Sequence, residues 1–229
     1  LTLLSDFIHL FYPNLCVGCQ LEAVAQHELF CIACETKLPI TDFHKVSDNE
    51  AMQRMEGGYP FSLGLSMFRF YPGGIVQEMI HQIKYKGQTN IAYRLGRRYG
   101  DILRRDCMET KDLSYIVPVP LHKKRMRARG YNQSKYFADG LSTSLGVATA
   151  PNLIIRVKDT SSQTTKSRKE RLQSMEGAFK LNSTRDLKGH HLLLVDDVLT
   201  TGSTLEAVTQ TLVKVSPIKV SFATIALAQ

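Results

Sequence analysis

Two carboxylates, four hydroxyls and a glycine fall within nine residues near the end of the chain, Asp196-Asp197-Val198-Leu199-Thr200-Thr201-Gly202-Ser203-Thr204. Carboxylates accept hydrogen bonds and repel phosphate, so Asp196 and Asp197 suit a vicinal diol such as that of a ribose. The run from Thr200 to Thr204 offers hydroxyls and backbone N–H groups instead. After it, Leu205, Val208, Leu212 and Val213 recur at helical spacing. Ser203-x-x-Glu206 fits a capping box, which predicts that the helix starts where the loop ends. Unpaired amides and the helix dipole both favour negative charge at such a point, so a phosphate dianion is readily held there. Before the acids, His191 to Val195 is an apolar run of strand length, which makes strand–loop–helix the expected unit, with the acids at the carboxyl end of the strand and one short loop from the helix. A sugar phosphate is a ligand that spans both halves. The plainer alternative is a buried strand ending in a solvated acidic turn. A P-loop is excluded, since no Gly-Lys-Ser/Thr follows the strand.

A second group of chemically capable residues lies near the other end. Cys16-Val-Gly-Cys19 and Cys31-Ile-Ala-Cys34 are two C-x-x-C pairs with eleven residues between them. Each knuckle presents two sulfurs to one point, and four thiolates complete a tetrahedral zinc site with no open position. Two disulfides compete with that reading, though a reducing cytosol and the lack of an export signal argue against them. A closed site supports folding rather than catalysis, so structural Zn²⁺ is expected at Cys16, Cys19, Cys31 and Cys34. Cys107 is left over as an ordinary helix residue.

The third group is basic. Leu121 to Gly130 contains Lys123, Lys124, Arg125, Arg127 and Arg129, and no acid occurs between Asp112 and Asp139. Tyr115 to Pro120 before it reads as a strand whose prolines close it, and Asn132 after it is a natural helix cap, with Tyr136, Phe137, Leu141 and Leu145 on one side. This is a second strand–loop–helix, whose basic loop suits a pyrophosphate or the backbone of a nucleic acid; a mobile solvated loop is the alternative. Arg156 to Glu176 has no apolar period and holds Lys158, Gln163, Lys166, Arg168, Lys169 and Arg171. It is too long for an ordinary connection, and its composition fits a basic flap over a pyrophosphate leaving group.

These groups need a frame to position them. At 229 residues, 43% of them hydrophobic, the chain can bury one α/β domain plus a small module. Residues 1–50 carry seven acids and two bases while the whole chain is +8, so the positive charge is concentrated after residue 50. Such clustering favours a phosphate-rich ligand or a nucleic acid. The expected division is a four-cysteine module at 1–50 and an α/β domain at 51–229, joined through a polar linker at 41–60. Leu63 to Phe70 alternates as an edge strand would, and Ile75, Met79, Ile80 and Ile83 fit one helix face. Ile91 to Asp106 fits a second helix, while Leu153 to Ile155, Gly177 to Leu181 and Ile218 to Leu227 read as strands. No stretch reaches the length of a membrane span, and Leu1 to Phe11 is too short for an anchor, so a cytoplasmic protein is expected.

Together the motifs carry a resemblance. Leu193-Leu-Val-Asp-Asp-Val-Leu-Thr-Thr-Gly-Ser-Thr204 resembles the phosphoribosyl-pyrophosphate (PRPP) loop of type I phosphoribosyltransferases. The N-terminal cysteines, Lys84-Tyr-Lys-Gly87, Pro118-Val-Pro-Leu-His122 with Arg125, Arg129-Gly-Tyr-Asn-Gln-Ser134, Gln163, Arg171 and Gly177-Ala-Phe179 follow in an order similar to that of the ComF (ComF/GntX, ComFC-like) family of bacterial competence proteins. Ser174 departs from it, where that family usually has Asn. The resemblance implies a type I phosphoribosyltransferase-like, doubly wound parallel sheet with a small zinc-binding module. It assigns the ribose hydroxyls to Asp196 and Asp197. PRPP binding runs over Asp196, Asp197, Val198, Leu199, Thr200, Thr201, Gly202, Ser203 and Thr204, with Mg²⁺ accompanying the ligand. His122, Arg125, Arg127, Arg129, Asn132 and Gln133 are implied for pyrophosphate or DNA, and Lys166 and Arg168 join the two acids as catalytic groups. Two functions follow: transfer of the phosphoribosyl group to an acceptor, or a single-stranded DNA-binding competence factor that uses the pocket as a ligand sensor, either one working with the DNA-uptake machinery in natural transformation.

Overall fold

The computed structural model describes residues 13–160, 170, 173–184 and 186–229. Its frame is a parallel sheet of four strands, β1 (Gly64–Phe70), β2 (Tyr115–Pro118), β5 (His191–Leu199) and β6 (Lys219–Ala228), in the order β1-β6-β5-β2. Two short strands, β3 (Ile154–Arg156) and β4 (Phe179–Leu181), pair antiparallel with each other away from that sheet. The helices are α1 (Ile32–Glu35), α2 (Glu50–Arg54), α3 (Ile75–Tyr85), α4 (Thr89–Asp106), α5 (Lys123–Arg129), α6 (Gln133–Leu145) and α7 (Ser203–Val213).

The continuous apolar run of β5 has a structural cause: parallel strands are covered on both faces, so every residue meets a core. Leu193 and Val195 face one cluster, built with Met79 and Ile83 of α3, Leu95 and Leu103 of α4, and Phe137 and Leu141 of α6. Leu192 and Leu194 face the other, with Leu205, Val208 and Leu212 of α7 and with Met55, Phe61 and Phe179. Helices on both faces make the sheet doubly wound, and β1 is an edge strand paired in parallel with β6.

One crossing sets the position of the site. A Cβ at Gly96 of α4 would stand 2.2 Å from the carbonyl oxygen of Phe137, and one at Gly140 of α6 2.1 Å from that of Tyr93. Only glycine lets the two backbones approach this closely. The crossing holds α6 with its N-terminus aimed at the carboxyl end of β5, where Gln133 and Ser134 reach the acids.

The cysteine segment packs onto this frame. Cys16, Val17, Leu29, Phe30, Cys34 and Leu38 belong to the same buried cluster as α3 and α4. Gln82 Nε2 donates to the carbonyl of Val17 at 3.0 Å, and the guanidinium of Arg98 grips both oxygens of Glu35. Three elements differ from the sequence expectation. Residues 41–60 are not a linker, because α2 lies within them and Phe43, Asn49, Ala51 and Met55 are buried. The basic stretch after Leu121 is helix α5 rather than loop: His122 caps it through Nδ1 on the N–H of Lys124, and Gly130 closes it in the left-handed region at φ 82°. Cys107 is not within a helix but caps the end of α4, buried.

Candidate functional site

Asp196 and Asp197 lie inside β5 near its carboxyl end, the strand continuing to Leu199; Asp196 is paired in register with Thr224 of β6. The two carboxylates are held separately. Gln133 Nε2 donates to Asp197 Oδ2 at 2.6 Å, and Lys84 Nζ stands 3.1 Å from Asp197 Oδ1. The other carboxylate receives the Ser134 hydroxyl at 3.0 Å and the Asp197 N–H at 2.8 Å, both on Asp196 Oδ1. Burial first, then the charge of Asp197, pushes the Asp196 carboxyl up to about 7. Near neutrality Asp196 is therefore poised to lose its proton.

The hydroxyl loop follows directly. Gly202 takes φ 78°, a conformation that glycine adopts without penalty, and α7 begins at Ser203. The cap is thus Gly202 and not Ser203, so the capping box does not form as expected: the turn needs a left-handed residue one place earlier. Thr201 Oγ1 and Ser203 Oγ are 3.0 Å apart, so two of the hydroxyls face one another across Gly202. The first N–H groups of a helix have no partner within it, and here they stand one turn from the acids.

The basic residues surround this pair unevenly. Arg129 Nη1 donates to Gln133 Oε1, continuing the contact through Gln133 to Asp197, and the Arg129 guanidinium lies 5.5 Å from the Tyr85 ring centroid. His122 faces Asp159, with Nδ1 and Oδ1 3.8 Å apart. On α5, Arg127 is exposed and Arg125 half-buried. Asn132 and Gln133 are buried: Asn132 caps α6 and donates to the carbonyl of Val119 at 3.0 Å. Lys166 and Arg168, with Gln163 and Arg171, lie outside the described residues.

Sequence reasoning missed three participants. Lys84 was visible only as part of Lys84-Tyr-Lys-Gly87, with nothing to tie it to an acid 113 positions later. Ser134 ends the Arg129-Gly-Tyr-Asn-Gln-Ser134 motif with nothing in the sequence to give it a role, yet it holds Asp196. Arg156 is the third: burial, then the charge of Arg125, holds its guanidinium below the ordinary arginine range, while the charges of Asp196 and Asp159 oppose that shift. Its Nε is buried with no hydrogen-bond partner among the described residues.

At the other end of the chain the sulfurs of Cys16, Cys19, Cys31 and Cys34 lie within 4.8 Å of one another, and none is in a disulfide. The N–H of Cys31 donates to Cys16 Sγ at 3.2 Å. Four sulfurs converging on one point, rather than in two bonded pairs, is the donor set of a tetrahedral thiolate site.

Residues 132–229 match the family model described as the phosphoribosyl transferase domain. The chain is 36% identical over 140 residues to Competence protein F of Haemophilus influenzae, covering 59% of this chain and 61% of that protein. It is 26% identical over 220 residues to the DNA utilization protein YhgH of Escherichia coli K12, covering 88% of this chain and 92% of that one. A crystal structure of an adenine phosphoribosyltransferase is similar at 12% identity and a TM-score of 0.39, covering 65% of this chain and 75% of that chain. Among the described residues no helix is long and apolar enough to cross a membrane.

Proposed function

This chain belongs to the ComF family, with a phosphoribosyltransferase fold, and from that premise we propose that it binds PRPP with Mg²⁺ at the carboxyl end of β5 and transfers the phosphoribosyl group to an acceptor. The observation that carries the reading is the acid pair: Asp196 and Asp197 are held apart by Ser134, Gln133 and Lys84, one short turn from the Gly202 loop. In this assignment the ribose 2′ and 3′ hydroxyls donate to the two carboxylates, and the 5′-phosphate sits on Thr200 to Thr204 at the start of α7.

In the reaction the bond from the anomeric carbon to a pyrophosphate oxygen breaks, its electron pair leaves with pyrophosphate, and the acceptor's lone pair forms the new bond. The transition state carries positive charge on the sugar, which the two carboxylates flank. Negative charge on the departing group is met by His122, Arg125, Arg127 and Arg129, with Lys166 and Arg168 assigned to the flap. Magnesium would be carried largely on ligand oxygens and waters, where it neutralises the pyrophosphate. The four cysteines hold Zn²⁺ as a structural metal, and reduced thiolates fit a cytoplasmic setting. Release of pyrophosphate from PRPP, assayed with a panel of nucleobases and amines, tests turnover; no release with any acceptor, in a protein that binds PRPP, refutes the transferase reading.

A second reading rests on α5. Lys123, Lys124 and Arg127 are exposed and Arg125 is half-buried on one short helix, a surface suited to the backbone of single-stranded DNA, in keeping with the competence and DNA-utilization names of the relatives. It predicts DNA affinity that falls steeply with salt, in proportion to the phosphates neutralised. An affinity unchanged between low and high salt contradicts it.

A further inference from the structure

The segment expected to be a linker is built against the outside of the hydroxyl loop. Asn49 pins its start: Nδ2 donates to the carbonyls of Phe43, Val46 and Gly64 at 3.2, 2.8 and 3.0 Å. Its Oδ1 accepts from the N–H groups of Ala51 and Met52, capping α2. Glu50 pairs with Arg69 of β1 and fixes the first turn. Anchored in this way, the segment meets the loop and the helix behind it at three points. Arg54 Nη1 donates to the carbonyl of Thr200 at 2.8 Å. A Cβ on Gly202 would stand 2.2 Å from Met55 Sδ, and one on Gly58 would stand 1.9 Å from Glu206 Oε1.

The chemistry of these contacts is uneven in an informative way. Met55 and Gly58 supply shape, whereas Arg54 supplies a positive charge whose hydrogen bond goes to a backbone carbonyl of the loop, while its charge also acts on Glu50. A guanidinium has five N–H donors in a planar fork, and the Thr200 carbonyl engages Nη1 alone. Its neighbour one turn back, Glu50, directs its own carboxylate to Arg69. A cation seated at the rim of an amide-and-hydroxyl loop lowers the cost of bringing a dianion there, and its fork suits phosphate oxygens.

We propose that Arg54 is a binding residue for the terminal phosphate of the sugar phosphate, closing the loop from outside and setting its preference for a 5-phosphorylated sugar. The inference rests on the reading of the loop given above and deepens it by adding a cation from a separate element. Its test uses the two halves of the ligand as separate probes, ribose 5-phosphate and inorganic pyrophosphate, each titrated by calorimetry into the full chain. Arg54→Ala weakens ribose 5-phosphate by about tenfold or more, the effect of losing one charge-assisted contact, and leaves pyrophosphate affinity unchanged. Arg54→Lys, which keeps the charge without the fork, recovers part of the loss and serves in place of the alanine variant should that one unfold. Equal weakening of both probes would make Arg54 a prop for the whole site, and unchanged ribose 5-phosphate affinity would remove it from the site; either result overturns the proposal. If the wild-type chain binds pyrophosphate but not ribose 5-phosphate, the loop reading fails first and this inference with it.

Discussion

Asp196 is the residue whose behaviour most constrains the chemistry. Its pKa in the fold lies near 7, above the ordinary 3.8, because burial and then Asp197 disfavour its charge. The folded chain therefore holds a proton there that the unfolded chain has lost, so the stability tied to Asp196 is complete below the ordinary value and lost as pH rises through about 7. Replacing it by asparagine removes that dependence: thermal melts of Asp196→Asn should lose less stability than wild type between about pH 5 and pH 8. Ligand binding runs the other way. A diol donates to the ionised form, so PRPP affinity should rise about tenfold per unit below that pKa and level off above it. Lys84 supplies the opposing control, since its charge is among those that lower the Asp196 pKa. Lys84→Met should shift the binding midpoint to higher pH and cost about 1–3 kcal/mol in stability by leaving Asp197 without its cation. A profile unmoved by Lys84→Met would detach that residue from the acids. The acids were legible from the chain alone because they follow an apolar run of strand length and lead straight into the hydroxyl-and-glycine segment. Lys84 was not, since its meaning depends on a contact the fold makes.

Among the elements, β5 with its loop and α7 was the easiest to read and the cap the easiest to misplace. An apolar run covered on both faces announces itself, whereas the start of α7 is decided by the left-handed turn at Gly202 and not by Ser203. Gly202→Ala sets a side chain in that disfavoured region and drives it into Met55, so it should weaken PRPP binding sharply while costing about 1–3 kcal/mol in stability. Met55→Ala in the same chain relieves the clash but not the backbone strain, so only part of the affinity should return. Helix α5 escaped notice because it has no buried residue and hence no apolar period, although lysine and arginine are good helix formers. Helix α2 escaped because it is five residues long and depends on hydrogen bonds that Asn49 donates to β1 and to the turn before it. The crossing of α4 and α6 yields an independent prediction: Gly96→Ala should destabilise the chain by about 3 kcal/mol or more, because the new methyl meets the Phe137 carbonyl and not a side chain that can move.

For the molecule as a whole, the cysteine segment and the sheet domain share one buried cluster, so events at the cysteines reach the frame that holds the site. Metal analysis should find one zinc per chain, and chelation should lower the melting temperature of the full chain. Cys34→Ser should do the same without touching the acids. A chain that contains no zinc and melts identically with and without chelator would refute the structural-metal reading. The packing of the cysteine segment onto the sheet's helices through Gln82 and Arg98 could not be foreseen from the chain, because it joins residues 65 and 63 positions apart. All of this converges on the acid pair and its loop. Calorimetric titration of PRPP with Mg²⁺ into wild type and into the Asp196→Asn, Asp197→Asn double variant is the direct test. The account predicts saturable binding at one site per chain in the wild type and none in a double variant that remains folded. Equal binding by both proteins, or no binding by the wild type, would contradict it.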